Sequence, residues 1–183
     1  LYTGNTSYMG GVLSPSGDIY FIPYNATVLQ KITSSGTVTT SAMAYTTTQA
    51  YTGGVLSPNG DIHFVPYNSP IGQKISPSGV CSTYSLAYTT IQAYHGGVLA
   101  PNGDIHFAPH YSHIGQKISK SGVVSTYSLF YTHGFVDYAG GICLPNGDVY
   151  FIPYGAHTIE KISIIPNIPF SKGLCCSPFL NKL

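Results

Sequence analysis

Two observations predict an all-β fold made of four like units. The stretch at 51–75, YTGGVLSPNGDIHFVPYNSPIGQKI, recurs with starts at Tyr8, Tyr94 and Tyr138, at offsets of 43, 43 and 44 residues. Within each copy, short apolar and aromatic runs alternate with Pro/Gly turn signals, and no stretch shows a helical period of 3.6. Self-similarity at about 40–50 residues is the mark of propellers and solenoids. The expected architecture is a four-bladed β-propeller of four-stranded repeats. An open repeat stack that continues into a neighbouring chain is the second possibility.

Taken in order, residues 1–7 read as the joint that closes a unit, like the later Ala44-Tyr45-Thr46-Thr47-Thr48-Gln49-Ala50. The first strand of a unit falls near 10–14. Pro15-Ser16-Gly17-Asp18 follows and becomes Pro-Asn-Gly-Asp at 58, 101 and 145. Pro pre-sets φ, Asn or Ser suits the next place, and Gly takes the left-handed one, as in a three-residue hairpin loop with a G1 bulge. The second strand, 19–24, is apolar on both sides and so is expected to be covered on both sides. Pro at 23, 66, 109 and 153 must end its ladder or face a gap in it. A third strand at 29–33 leads through Ser34-Ser35-Gly36 to a fourth at 37–43, whose Thr/Ser alternation marks the outermost position. In the last copy an insert at 164–170 precedes Gly173-Leu174-Cys175-Cys176, and Pro178 breaks the outer strand. A single domain over 1–183 is expected, with repeats at about 8–50, 51–93, 94–137 and 138–183.

Composition narrows the function classes. Seven Lys balance six acidic residues for a net charge of +1, Arg is absent, and only 7% of residues are charged. That disfavours nucleic-acid binding, which needs a clustered basic face. No apolar run reaches the roughly 18 residues needed to cross a bilayer. A skin of hydroxyls and amides with little charge repulsion suits a secreted or surface-exposed protein that packs against copies of itself. The chain begins at Leu and reads as a processed product with any leader removed. Asn5 and Asn25 head sequons and are glycosylation candidates in that setting.

The unit Tyr-x-Gly-Gly-Val-Leu-x-Pro-Asn-Gly-Asp-Ile-x-Phe-x-Pro-Tyr resembles the short repeats of Kelch- and WD40-like propeller proteins, over almost the whole chain. There is no Trp, and so no Trp-Asp dipeptide. The resemblance implies the blade fold and carries over no functional residue.

Four kinds of residue are candidates for chemistry. Asp18, Asp61, Asp104 and Asp148 occur once per unit and offer a ring of carboxylates to a hard cation. The expected reading is instead that each bonds backbone N–H groups of its own turn or pairs with Lys31, Lys74, Lys117 and Lys161, because Asp is a turn residue by preference. His63 and His106 replace Tyr20 and Tyr150, and His110 replaces Tyr24, as if the sites want a flat ring with a polar tip. His106, His110 and His113 resemble a ligand run, but 110 and 113 point to opposite faces of a strand. Cys81, Cys143, Cys175 and Cys176 are disulfide candidates, with Cys143 standing where other copies have Leu. Tyr8, Tyr51, Tyr94 and Tyr138 open the units and Tyr45, Tyr88 and Tyr131 close them. They are either packing rings or shallow sugar platforms.

No nucleophile elbow, P-loop or CxxC is present, and Asp137 is the single Asp outside the repeat turns. The expectation is therefore a non-catalytic structural module that self-associates in a filament, appendage or coat, without cofactors. A lectin-like module with one weak glycan site per blade is the alternative.

Overall fold

The structure is a computed structural model and describes residues 4–131 and 136–164. Unit 1 holds β1 (Tyr8–Leu13), β2 (Ile19–Pro23), β3 (Val28–Ile32) and β4 (Val38–Ala42). Unit 2 holds β5 (Tyr51–Leu56), β6 (Ile62–Pro66), β7 (Ile71–Ile75) and β8 (Cys81–Ser85). Unit 3 holds β9 (Tyr94–Leu99), β10 (Ile105–Pro109), β11 (Gly115–Ile118) and β12 (Val124–Tyr127). Unit 4 holds β13 (Tyr138–Cys143), β14 (Val149–Pro153) and β15 (Glu160–Ile162). Each unit is an antiparallel meander in chain order, four-stranded in the first three units and three-stranded in the described part of the fourth. The insert and the altered outer strand expected in the last copy lie outside the described residues.

The turn chemistry forms as the sequence implies. The Gly17 N–H donates to Ser14 O at 3.0 Å and the Ser14 N–H to Asp18 O at 2.8 Å, and the same pair recurs at Ser57, Ala100 and Leu144. Gly17, Gly60, Gly103 and Gly147 all sit at φ between 84° and 88°, where a Cβ is disfavoured. The first strand begins earlier than expected, at Tyr8, because Tyr8 pairs with Pro23 across a bulge that ends at Gly11. The bulge recurs at Tyr51 and Tyr138. Pro23 thus closes its strand opposite a break in the ladder, where its missing N–H costs nothing.

β1 packs on β5, β5 on β9, and β9 on β13, so the first strands line an axis. Among the described residues β13 and β1 share no comparable interface. The glycines on the axis record the same progression. A methyl added to Gly10 would lie 3.6 Å from Gly53 Cα, one on Gly53 3.9 Å from Gly96 Cα, and one on Gly96 2.8 Å from Gly140 Cα. A methyl on Gly140 would meet nothing within 4 Å. The sheets form an arc.

Three apolar layers fill the spaces between sheets. Val12, Tyr20 and Ile22 of unit 1 meet Tyr51, Ile62 and Phe64 of unit 2. Val55 and Val65 meet Tyr94, Ile105 and Phe107. Val98 and Ala108 meet Tyr138, Val149 and Phe151. The second strand is buried along its whole length in units 2 and 3, as its two-sided apolar sequence demands. In the outer units it is not. β2 buries Tyr20 and Ile22 but leaves Ile19 exposed, whereas β14 buries Val149 and Phe151 and leaves Ile152 exposed. The outermost strand β4 is exposed throughout, since no sheet flanks it on the far side.

Candidate functional site

One end of the arc carries the loops between second and third strands together with the joints between units. Backbone hydrogen bonds stitch the units there without a break. Ala50 N–H donates to Tyr24 O (2.7 Å), Tyr67 N–H to Ala50 O (2.9 Å), Ala93 N–H to Tyr67 O (2.9 Å), and His110 N–H to Ala93 O (2.9 Å). Asp137 N–H then donates to His110 O (2.7 Å) and Tyr154 N–H to Asp137 O (2.9 Å). Asn side chains brace the same seam, with Gln49 N–H on Asn25 Oδ1 (3.0 Å) and Gln92 N–H on Asn68 Oδ1 (2.8 Å). At one equivalent place per unit a non-glycine residue is held left-handed: Thr6 (φ 47°), Gln49 (54°), Gln92 (51°) and Val136 (39°). Branched residues rarely adopt that backbone, and such strain gathers at functional sites.

On this stitched rim stands a row of rings, one from each unit, at the place just after the second-strand proline. Tyr24 and Tyr67 have centroids 6.0 Å apart, Tyr67 and His110 5.6 Å, and His110 and Tyr154 6.4 Å. His95, near the start of β9, adds a second imidazole 5.5 Å from His110 and 6.1 Å from Tyr67. Tyr111 flanks His110 at 5.3 Å. His110 is buried, and its Nδ1 has no hydrogen-bond partner. Burial, helped by the neighbouring His95, pushes its pKa down to about 4 against a weak opposing bond to the Gln92 backbone. Burial also lowers His95 and raises the Tyr67 hydroxyl. At neutral pH both imidazoles are uncharged, while the phenol keeps its proton.

The residues singled out from sequence fall elsewhere. Asp18, Asp61, Asp104 and Asp148 are each ion-paired with the Lys of their own unit, Lys31, Lys74, Lys117 and Lys161, at 2.6, 2.6, 2.8 and 2.7 Å. Asp18 and Asp104 also accept backbone N–H bonds from Ser34 and Lys120. The apparent histidine run divides three ways: His106 lies 3.1 Å from the Tyr127 hydroxyl and His113 3.2 Å from that of Tyr88, while His110 faces His95. Among the described residues no three His, Cys, Asp or Glu gather as metal ligands would.

Tyr51, Tyr94 and Tyr138 are fully enclosed and lie against Phe64, Phe107 and Phe151, so they offer a sugar no face. Tyr8, half-buried, lies against Phe21, and its hydroxyl donates to Val28 O at 3.1 Å. Tyr45, Tyr88 and Tyr131 are half-buried in the joints, where their own N–H groups bond Gln73, Gln116 and Glu160. Cys81 and Cys143 lie in different core layers, and Cys175 and Cys176 lie outside the described residues. Asn5 is exposed, whereas the Asn25 amide already donates to Thr6 O.

At the opposite, turn-bearing end a cleft of about 170 Å³ opens between units 2 and 3. Its polar lining is committed internally, Lys74 to Asp61 and His63 to Tyr84 (3.3 Å). The ring-lined rim is therefore the candidate site. Sequence reading noticed His110 but passed over His95. The signal was available, because His95 stands where sister units carry Met9, Thr52 and Ala139, so the two imidazoles break the repeat together.

No family model matches the chain, and no curated protein matches it in sequence. Solved structures do. A streptogramin B lyase superposes at a TM-score of 0.75 with 21% identity, over 90% of this chain and 54% of that one. A catalytically inactive His-to-Ala variant of virginiamycin B lyase from Staphylococcus aureus, solved with quinupristin, gives 0.73 and 18% over 90% and 55%. A candidate 6-phosphogluconolactonase from Bacteroides uniformis gives 0.62 and 16% over 84% and 49%. The chain spans about half the length of each. These propeller-like neighbours support a propeller-like all-β repeat fold. They do not single out the Kelch or WD40 groups.

They also correct the functional expectation. The architecture is shared with proteins described as enzymes, which overturns the expectation of a non-catalytic filament, coat or lectin-like module. The physical reason is plain. Regular repeats and low charge describe the scaffold, whereas a site assembled from one ring per unit leaves no contiguous motif.

Proposed function

We propose that the four sheets are four blades of a β-propeller and that the chain performs lyase-type elimination chemistry at the rim bearing His95 and His110. The observation that carries this reading is the imidazole pair itself, set 5.5 Å apart within a row of tyrosines where unit 3 alone carries a base at both positions. A lyase needs a base to take a proton from carbon and an acid to protonate the departing group. An uncharged imidazole suits the first task. The hydroxyl of Tyr67, whose ring lies beside both imidazoles, is placed for the second. In that step the C–H electrons form the new double bond, the bond to the leaving group breaks, and the leaving atom takes the phenol proton. The flat rings on either side suit a substrate with apolar or aromatic faces. That a histidine variant of one structural neighbour is described as inactive agrees with histidine chemistry on this fold.

The test uses quinupristin as the probe, followed by liquid chromatography and mass spectrometry. Consumption by the native chain, with products whose masses add up to that of the substrate, supports elimination. Products heavier by one water make the reaction a hydrolysis. Unchanged turnover in both His110→Gln and His95→Ala removes the rim from the chemistry.

A further inference from the structure

The outer faces of units 1 and 4 are the two halves of an interface that the chain already builds three times. Inside the arc, the face of a unit that carries Val12 and Ile22, or Val55 and Val65, or Val98 and Ala108, is covered by the face carrying the next unit's Tyr, Ile/Val and Phe. Unit 1 leaves the second kind of face uncovered. Leu13 is 55% exposed, Ile19 39% and Val38 42%, whereas Ile62 and Phe64, the counterparts of Ile19 and Phe21, are sealed in unit 2. Unit 4 leaves the first kind uncovered. Ile142 is 37% exposed and Ile152 50%, where Val98 and Ala108 are buried in unit 3. The alternation is opposite in the two end units, so the faces differ and complement each other.

We propose that two copies of this chain join head to tail, the unit 1 face of each on the unit 4 face of the other, to close one ring of eight sheets. Three features favour a second copy as the occupant. The contact repeats a geometry that the sequence has already specified three times. Both faces are apolar and place no unpaired charge in the joint, since Asp18 and Lys31, and Asp148 and Lys161, neutralise each other within their units. The two end faces are also of opposite kinds, so a second copy presents to each the face that covers its counterpart inside the arc. Closure uses each face once and leaves none over, as a two-fold ring requires. It would also set the second copy's row of rings opposite that of Tyr24, Tyr67, His110 and Tyr154 around one axis.

Light scattering and sedimentation velocity on the 183-residue chain test this, across a hundredfold range of concentration. The expected result is a mass that rises from one chain to two and stops there. Ile19→Glu and Ile152→Glu, both at exposed positions, are each expected to return the mass to one chain with unchanged circular dichroism. Three results overturn the proposal. A native chain that stays single at every concentration means the faces are covered some other way. A mass that keeps growing means an open row. A two-chain particle that survives either substitution means like faces meet. The native measurement decides by itself, should a variant fail to fold.

Discussion

The imidazoles of His95 and His110 lie 5.5 Å apart with their planes inclined by 32°, and the presence of the first lowers the proton affinity of the second. Burial is the larger cause, so the shift should survive loss of the neighbour in reduced form. In a nuclear magnetic resonance titration the His110 ring protons are expected to move with a midpoint near 4. In His95→Ala the midpoint should rise by less than one unit. A midpoint near the ordinary 6.5 in the native protein would mean that the ring is wet rather than enclosed.

Three buried imidazoles make folding stability depend on acid. His63, His106 and His110 are each pushed down to about 4, mainly by burial, from an ordinary value of 6.5. Between those two values the unfolded chain binds more protons than the folded one. Stability is therefore complete above about pH 6.5 and falls as the pH drops towards 4. Each buried ring contributes on the order of 2 kcal/mol across that window. His106→Tyr adopts the residue that units 1 and 4 use at this place, and it should flatten the acid limb of urea midpoints by about a third. An unchanged acid limb would show that His106 is not buried as a neutral ring.

The four-unit plan, the turns and the covered inner strands were all legible in the sequence, because each rests on a local rule repeated four times. Gly17 and its kin had to be left-handed, and β6 and β10 had to be covered twice. What the repeat could not give was the turn from one sheet to the next. Ile19 and Ile152 read the same as Ile62 and Val65 in any single unit, yet they end up wet because nothing packs outside the end sheets. The candidate site was hidden for a related reason. His95 lies in β9 and His110 just after β10, and they meet only when those strands pair, so no spacing rule marks them. Tyr51 and Tyr94 misled in the other direction, since the ring that opens each of these units is enclosed between the sheets.

A compensation on the outer strands offers a test of packing. Gly72 pairs with Tyr84 and Gly115 with Tyr127, while in unit 1 the same positions are Leu29 and Ser41. A Cβ at Gly72 would fall inside the Tyr84 ring. Gly72→Ala is therefore expected to cost about 1–3 kcal/mol by overpacking. Adding Tyr84→Ser, the unit 1 solution, should recover most of that loss in a double-mutant cycle. Additive effects would mean that ring and backbone do not press on each other.

Joint geometry depends on a buried acceptor. Gln116 Oε1 takes the Ala87 and Tyr88 N–H groups at 2.9 and 2.8 Å, and in unit 4 the carboxylate of Glu160 takes those of Phe130 and Tyr131 at 2.8 and 3.2 Å. Gln116→Ala leaves two part-buried donors unmatched and should cost about 1–3 kcal/mol. Gln116→Glu keeps both bonds and replaces an amide nitrogen that has no partner. Its cost, read from chemical unfolding, should be less than half as large. Equal losses would show that the side chain acts by filling space.

The axis itself separates backbone strain from crowding. Gly96 and Gly140 have nearly the same left-handed φ, 79° and 85°, so an added methyl strains both by about 1–2 kcal/mol. They differ in what the methyl would meet. At Gly96 it would lie 2.8 Å from Gly140 Cα and 3.3 Å from its N, which are backbone atoms and cannot swing aside, whereas at Gly140 the space is open. Gly96→Ala is expected to lower the melting temperature at least twice as far as Gly140→Ala. The second variant has a use beyond that comparison. If two chains close a ring, Gly140 comes to face the partner's Gly10, and the added methyl should weaken pairing while the single chain keeps most of its stability. Equal melting losses in the two variants would mean that the first strands do not approach as closely as their glycines imply.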